Sequence, residues 1–438
     1  MKCSIYFYKV GLFKVYAPII NACLKKGIEV VVYRPLLSNS SVENIKTKAQ
    51  MLQDAKQMPF GNNFTILFFS SLQELESILI NETPTFLITY ETDGILIFQK
   101  FENYDKLFGP LGIPIFSVQW TFENFDTESI TAHGNPKFLH TRKLFFCVSE
   151  FMREHYRDLL RKRGQINSLY ERLISETFIP INGSPILDTI GMQTDKVILK
   201  KYGLPKERKI ILFYPPNIYG LAAKYNDAWY NNVFIQNNRL LSFLKNLFQR
   251  RFDLLREALY GRRYRDLLQS LSVFCKRNDA FLIIKLRQKN VESKKLYRKY
   301  GDMVVSDESF YPYTSLELLQ VSNLAIQFCS SGIFEIITVG VPNITIVFPF
   351  LEKFMKYNNK EQFYSEDITT KMKPEKFIEV MPHSFFDDFK MNQSERKGFI
   401  NKYLGGFESN SSDKIVSEII TYLSDRENQA KKSFTLSN

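Results

Sequence analysis

The sequence predicts an α/β protein made of two Rossmann-like domains facing a cleft, and three observations carry that prediction. Short runs of β-branched and aromatic residues alternate with helix-patterned stretches along the chain. Strands separated by helices need crossover connections, so the sheets are expected to be parallel and covered on both faces. The alternation then restarts after the cluster PINGSPILD, Pro180 to Asp188. At 438 residues the chain has room for two or three domains of roughly 100–200 residues, each with its own core.

Taken in order, Ser4 to Tyr8 reads as a strand, Val15 to Lys26 as a helix closed by Gly27, and Ile28 to Arg34 as the next strand. Thr65 to Phe69, Thr85 to Tyr90, Ile113 to Trp120 and Lys143 to Ser149 continue the strands, with helices at Ser71 to Leu79 and from Glu150 to about Arg163. A helix through Lys201 stops at Gly203-Leu204-Pro205, and a second set of strands follows at Lys209 to Tyr214, Phe281 to Leu286, Met303 to Ser306, Asn323 to Phe328 and Asn343 to Val347. The last helix is expected over Ser412 to Leu423, before a frayed polar tail. The expected divisions are 1–185, 186–415, and a C-terminal helix and tail at 416–438.

Composition narrows the classes. With 45% apolar and 24% charged residues, disorder, collagen and coiled coil are excluded. The net charge of +12 points to partners that carry negative charge: nucleic acid, an anionic membrane face or phosphorylated substrates. No recognised nucleic-acid module accompanies the charge, which disfavours nucleic acid. The five cysteines, Cys3, Cys23, Cys147, Cys275 and Cys329, lie in or beside apolar runs without C-x-x-C spacing. They read as buried reduced thiols, which suits the cytoplasm, and no Cys/His metal site is visible. Lys9 and Lys14 interrupt the apolar start, so it is expected to be a strand and not a signal peptide. The weakly charged region Leu318 to Leu351 is broken by Gly332, Gly340, Pro342 and Pro349, which rules it out as a membrane span.

Four ordered motifs carry a resemblance. Gly183-Ser184-Pro185 with Asp188 is similar to a G-x-P-x-x-D interdomain linker, and Ile210 to Asn217, IILFYPPN, to the strand and loop that open a donor domain. Phe281 to Arg287, FLIIKLR, is similar to an "liiKpHP" strand, with Leu286 and Arg287 standing where that motif has Pro and His. Asn323 to Ile346, NLAIQFCSSGIFEIITVGVPNITI, is similar to a strand, S-S loop, E-bearing helix and G-x-P. Together they resemble GT-B glycosyltransferases of the bacterial surface-polysaccharide type, and their relatives the CDP-glycerol glycerophosphotransferases and UDP-N-acetylglucosamine 2-epimerases. The motifs span about residues 180 to 350; the first half matches only in its alternation. The resemblance implies an N-terminal acceptor domain, a C-terminal nucleotide-donor domain and a C-terminal helix that packs back on the first domain.

The residues of the fourth motif support an anion site. Free N–H groups of a helix starting near Ile333, the helix dipole, and the hydroxyls of Ser330 and Ser331 converge where a diphosphate can sit, and Gly332 allows close backbone approach. The alternative is that Ser331 or Gly332 only caps the helix and Glu335 only favours its positive end. The resemblance places Glu335 on the ribose hydroxyls and makes Pro216 and Asn217 donor contacts, the alternative being that their loop is a plain connection, and it puts Gly183 in the linker. Lys285 and Arg287, on one face at a strand's C-terminal end, read either as a charge clamp on a donor phosphate or as a solvated strand end.

Transfer to an acceptor hydroxyl with inversion needs a base. Asp93, Glu123 and His133, at strand ends or in a Gly- and Pro-flanked loop, are the candidates; retention would need none. Between Arg239 and Arg265 eight Lys/Arg stand against Asp253 and Glu257, and Leu241, Leu244, Phe248, Phe252, Leu255 and Leu259 recur at helical spacing. That amphipathic helix is either a contact with an anionic membrane or a packed helix with a solvated cationic face. The sequence therefore leads to a cytoplasmic glycosyltransferase, with the inner membrane face as a peripheral surface. It would move a sugar from a nucleotide-activated donor to a surface-glycan or lipid-linked acceptor, with no metal cofactor and no nucleic acid. The rivals are a CDP-glycerol-type polyol-phosphate transferase, a nucleotide-sugar 2-epimerase and a non-catalytic nucleotide-binding protein.

Overall fold

The computed structural model describes residues 1–6, 12–35, 64–90, 94–97, 100–119, 141–162, 168–215, 262–286, 294–306, 309, 311–328, 332–347, 368–406, 408 and 410–436. The chain separates into two units. Unit 1 comprises Met1–Met192, Ser309–Thr314 and Lys397–Asn438, and unit 2 comprises Gln193–Glu308 and Ser315–Arg396.

Unit 1 contains β1 (Lys2–Tyr6), α1 (Phe13–Lys25), β2 (Glu29–Pro35), β3 (Phe64–Phe69), α2 (Leu72–Glu82), β4 (Phe86–Tyr90), the antiparallel hairpin β5 (Gly94–Ile97) and β6 (Lys100–Asn103), α3 (Tyr104–Phe108), β7 (Ile115–Val118), β8 (Arg142–Cys147), α4 (Glu150–Lys162), α5 (Ser168–Thr177) and β9 (Phe178–Pro180). Its main sheet runs β3-β2-β1-β4-β7-β8-β9, parallel at every pairing. Such a sheet hides both faces, which is why β1, β2, β4 and β8 hold fully buried Ile5, Val32, Leu87 and Phe145 on near-continuous apolar runs. Gly27, at φ +72°, ends α1 in the left-handed region that glycine tolerates.

Unit 2 contains α6 (Asp195–Tyr202), β10 (Lys209–Phe213), α7 over 262–277, β11 (Ala280–Lys285), α8 (Lys294–Tyr297), β12 (Met303–Val305), α9 (Thr314–Gln320) from its second residue on, β13 (Leu324–Gln327), α10 (Gly332–Val339), β14 (Asn343–Ile346), β15 (Thr370–Met372) and α11 (Pro374–Val380). Its sheet, again all parallel, runs β12-β11-β10-β13-β14-β15. Leu267, Leu268, Leu271 and Phe274 of α7 bury against β10, β11 and β13 in one core. Arg262, Arg263 and Arg265, the end of the basic stretch, lie within α7 on its exposed side, and Arg263 pairs with Glu375 at 2.6 Å. The rest of the stretch expected to form an amphipathic helix, 239–261, lies outside the described residues.

Two helices close the chain. α12 (Gln393–Leu404) begins in unit 2 and continues in unit 1, and α13 (Ser411–Leu436) lies in unit 1. α13 runs to Leu436, well past the expected end at Leu423, so the stretch read as a frayed tail is helical. α13 packs on α1 and on the 3-10 turn Pro185–Thr189. Cys3, Cys23, Cys147 and Cys275 are buried, as expected; Cys329 lies outside the described residues. No helix among the described residues is long and apolar enough to cross a membrane.

Candidate functional site

The strand order of unit 2 contains a switch point. β10 is the first strand in sequence and β13 the fourth, yet they are neighbours, and the crossovers on either side of them run in opposite directions along the sheet. In open α/β sheets the loops at such a switch point part, leaving a crevice at the carboxyl ends of the strands. The register brings three of the sequence motifs to that edge. Phe213 pairs with both Ile284 and Ile326, so Tyr214, Lys285 and Gln327 all lie one step further along, at the same end. The Tyr214 N–H donates to the Ile326 carbonyl at 2.8 Å and extends the pairing one residue beyond Phe213.

From that edge the chain enters α10 at Gly332, so the first helical turn opens beside the switch point. Its leading N–H groups have no acceptor within the helix, and the aligned peptide dipoles put positive potential there; an anion is what such an end attracts. Glu335 lies in this first turn and is 7% exposed, and Ile333, Phe334, Ile336 and Ile337 sink the rest of the helix into the core. Beneath the edge, Phe328 meets Phe213 edge-on with ring centroids 6.0 Å apart and touches the Tyr264 ring of α7. Tyr264 in turn shares a buried 3.0 Å hydroxyl pair with Tyr297. These contacts fix the level at which the strand ends.

Lys285 is 4% exposed, and its Nζ donates to the Leu286 carbonyl at 3.1 Å. Lys285 thus ends β11 at the same edge as Tyr214 and Gln327. Arg287, Pro216, Asn217, Ser330 and Ser331 lie outside the described residues, as do the candidate bases Asp93, Glu123 and His133.

Gly183 has a packing role in unit 1. Its φ is +141°, its N–H donates to the Val148 carbonyl at 2.9 Å, and a Cβ there would collide with Ser411 Oγ. Asp188 of the same motif accepts the backbone N–H groups of Ser411 at 3.0 Å and Ser412 at 2.7 Å, capping α13. The sequence reading placed these residues in a linker; nothing in their spacing reveals a partner more than two hundred residues away.

Two further features of unit 2 were not found from the sequence. Glu317 of α9 is 1% exposed and accepts from Lys201 Nζ at 2.7 Å and the Tyr202 hydroxyl at 2.6 Å, joining α6 to α9. Arg396 of α12 donates to the Ile337 and Thr338 carbonyls at the end of α10.

No protein-family model matches the chain, and no curated protein matches it in sequence. Its fold does match solved structures. A protein assigned as a UDP-N-acetylglucosamine 2-epimerase from Listeria monocytogenes superposes with a TM-score of 0.54 at 11% identity, covering 97% of each chain. The UDP-GlcNAc 2-epimerase of Neisseria meningitidis gives 0.51 at 12% identity, over 96% of this chain and 100% of that one. The UDP-GlcNAc 2-epimerase of Methanocaldococcus jannaschii, solved with UDP-GlcNAc and UDP, gives 0.50 at 16% identity with the same coverage. At such identities the likeness speaks to architecture, and with the strand orders above it is decisive there: the chain has the GT-B fold, two Rossmann-like domains in one polypeptide.

Proposed function

We propose that this chain is an enzyme of nucleotide-sugar chemistry whose unit 2 binds the donor, with the diphosphate at the start of α10, Lys285 supplying positive charge and Glu335 near the ribose. The observation that supports this most is the strand order of the six-stranded sheet, with α10 leaving the neighbour of its first strand at the switch point. Pro216, Asn217, Ser330, Ser331 and Arg287 complete the proposed donor contacts on sequence grounds, and Gly183 belongs to the linker motif.

The proposed reaction is glycosyl transfer to a surface-glycan or lipid-linked acceptor. The bond from the anomeric carbon to the diphosphate breaks, the acceptor oxygen takes its place, and the acceptor proton leaves to a base for which Asp93, Glu123 and His133 are the candidates. The basic stretch 239–265, with Arg262 and Arg265 exposed on α7, would hold the enzyme at an anionic membrane carrying such an acceptor. A second reading, 2-epimerisation of the nucleotide sugar without an acceptor, is favoured by the likeness over nearly the whole chain to structures of 2-epimerases.

Incubation with a panel of nucleotide sugars, beginning with UDP-GlcNAc, separates these readings. Nucleoside diphosphate released only with acceptor marks a transferase, and an isomerised sugar nucleotide formed without acceptor marks an epimerase. Nucleoside monophosphate released from CDP-glycerol marks the polyol-phosphate transferase. Failure to bind any nucleotide would sink the proposal.

A further inference from the structure

The far end of α10 is held by one side chain from another helix. The last carbonyls of a helix lack intrahelical partners. Here the Ile336 carbonyl takes the N–H groups of Gly340 at 2.9 Å and Val341 at 3.2 Å, a glycine-based stop. The next two carbonyls go to Arg396 in the first turn of α12: Nε donates to Ile337 O at 2.7 Å and Nη2 to Thr338 O at 2.6 Å. The planar guanidinium suits this double contact, and its charge opposes the negative pole of the helix. Gly340 makes room for it, because a Cβ there would stand 3.0 Å from Cζ and 3.1 Å from Nε and Nη2 of Arg396.

Two facts give this contact a meaning beyond helix stability. α10 spans only Gly332–Val339, about two turns at 3.6 residues each, so a clamp on its carbonyl end sets where its N-terminal amides stand. Arg396 is also the last residue of unit 2, and α12 continues from Lys397 into unit 1 without a break. We propose that Arg396 is a positioning residue for nucleotide binding, which fixes the register of α10 and ties it to the helix by which the chain leaves unit 2. This rests on the reading of α10 as the diphosphate site. Arg396 itself touches no ligand in this proposal.

The test uses the full chain with Arg396→Lys and Arg396→Ala, and UDP as the probe. Calorimetry should show UDP affinity lowered about tenfold in Arg396→Ala, within the range of coupling between sites, with an intermediate loss in Arg396→Lys. Free guanidinium at low millimolar concentration should restore much of the loss in Arg396→Ala and leave the wild type unchanged, a rescue that general destabilisation would not give. Amide hydrogen exchange over 332–339 should accelerate in Arg396→Ala without ligand and slow again with guanidinium. Equal UDP affinity in all three folded proteins overturns the proposal. If the wild type binds no UDP, the nucleotide reading fails by itself; unchanged exchange in α10 then removes the clamp as well, and accelerated exchange supports it. Should Arg396→Ala fold poorly, Arg396→Lys carries the same comparisons.

Discussion

The carboxylate of Asp188 caps a helix that begins at Ser411, and its shortest contact is the 2.7 Å bond from the Ser412 N–H. The two residues are far apart in sequence, and the bond closes unit 1 around its C-terminal helix. Removing a capping side chain typically costs about 0.5–2 kcal/mol. Asp188→Ala should therefore lower the unfolding free energy by about that amount in urea titrations, with Asp188→Asn, which keeps an acceptor, losing less.

Burial pushes the Asp188 carboxyl above its ordinary value of 3.8, against the opposing pull of the bonds from Ser412 and Ser411. The folded chain then holds the proton more tightly than the unfolded chain does. Its contribution is fully present below 3.8 and falls as pH rises from there through the folded value. The stability of wild type relative to Asp188→Asn should accordingly decline with rising pH across that acid window. An advantage that grows instead would mean that the hydrogen bonds outweigh burial.

Gly183 and Ser411 should behave as a coupled pair. Gly183→Ala meets both an unfavourable φ of +141° and the Ser411 hydroxyl. The double variant with Ser411→Ala removes the collision but not the strain, so it should recover part of the loss, with a coupling of about 0.5–3 kcal/mol in the cycle. Additive losses would show that the backbone moves aside.

Tyr202→Phe deletes one hydrogen bond to the buried Glu317 carboxylate. Bonds to charged groups contribute about 1.5–3 kcal/mol, and the midpoint of chemical denaturation should fall to match. A change within about 0.5 kcal/mol, the range of surface substitutions, would mean that Lys201 alone satisfies the carboxylate.

Lys285→Ala tests the donor site. If its charge supports the diphosphate, UDP affinity or turnover should fall roughly ten- to a hundredfold, as expected for one charge-assisted hydrogen bond. Loss of stability with intact nucleotide affinity would leave the lysine to its bond with the Leu286 carbonyl.

The central strands and the helix at Gly332 were legible because each is written locally. The run Ile210 to Phe213 and the sequence from Asn323 to Ile346 specify strand, turn, helix and strand through apolar pattern, glycine and proline alone. Short edge elements such as the three-residue strand β15 lack that signal, and the hairpin β5–β6 lies in a stretch without clear alternation. The positions of Asp188, Glu317 and Arg396 could not be read, since each is defined by a partner that only the folded chain supplies. Glu317 looks like an ordinary surface glutamate in the stretch TSLELLQ, and burial on Lys201 and Tyr202 is a tertiary fact. The alternation of the first half announced its sheet but no chemistry, and the proposed bases there are inferences from residue type.

Unit 1 is assembled from three separate stretches of chain, and that carries a consequence for how the protein is made. Synthesis delivers α1 long before α13, so the face of α1 that α13 covers stays wet until α13 has emerged from the ribosome, and Phe116 waits equally long for the edge of Tyr422. Unit 2, which lies between, has its whole sheet in hand by Met372 and can acquire its core while the first unit is still open. A nascent chain stalled before α13 should thus show a protease-resistant middle and a labile beginning, and it would need shielding of its apolar first helix from aggregation.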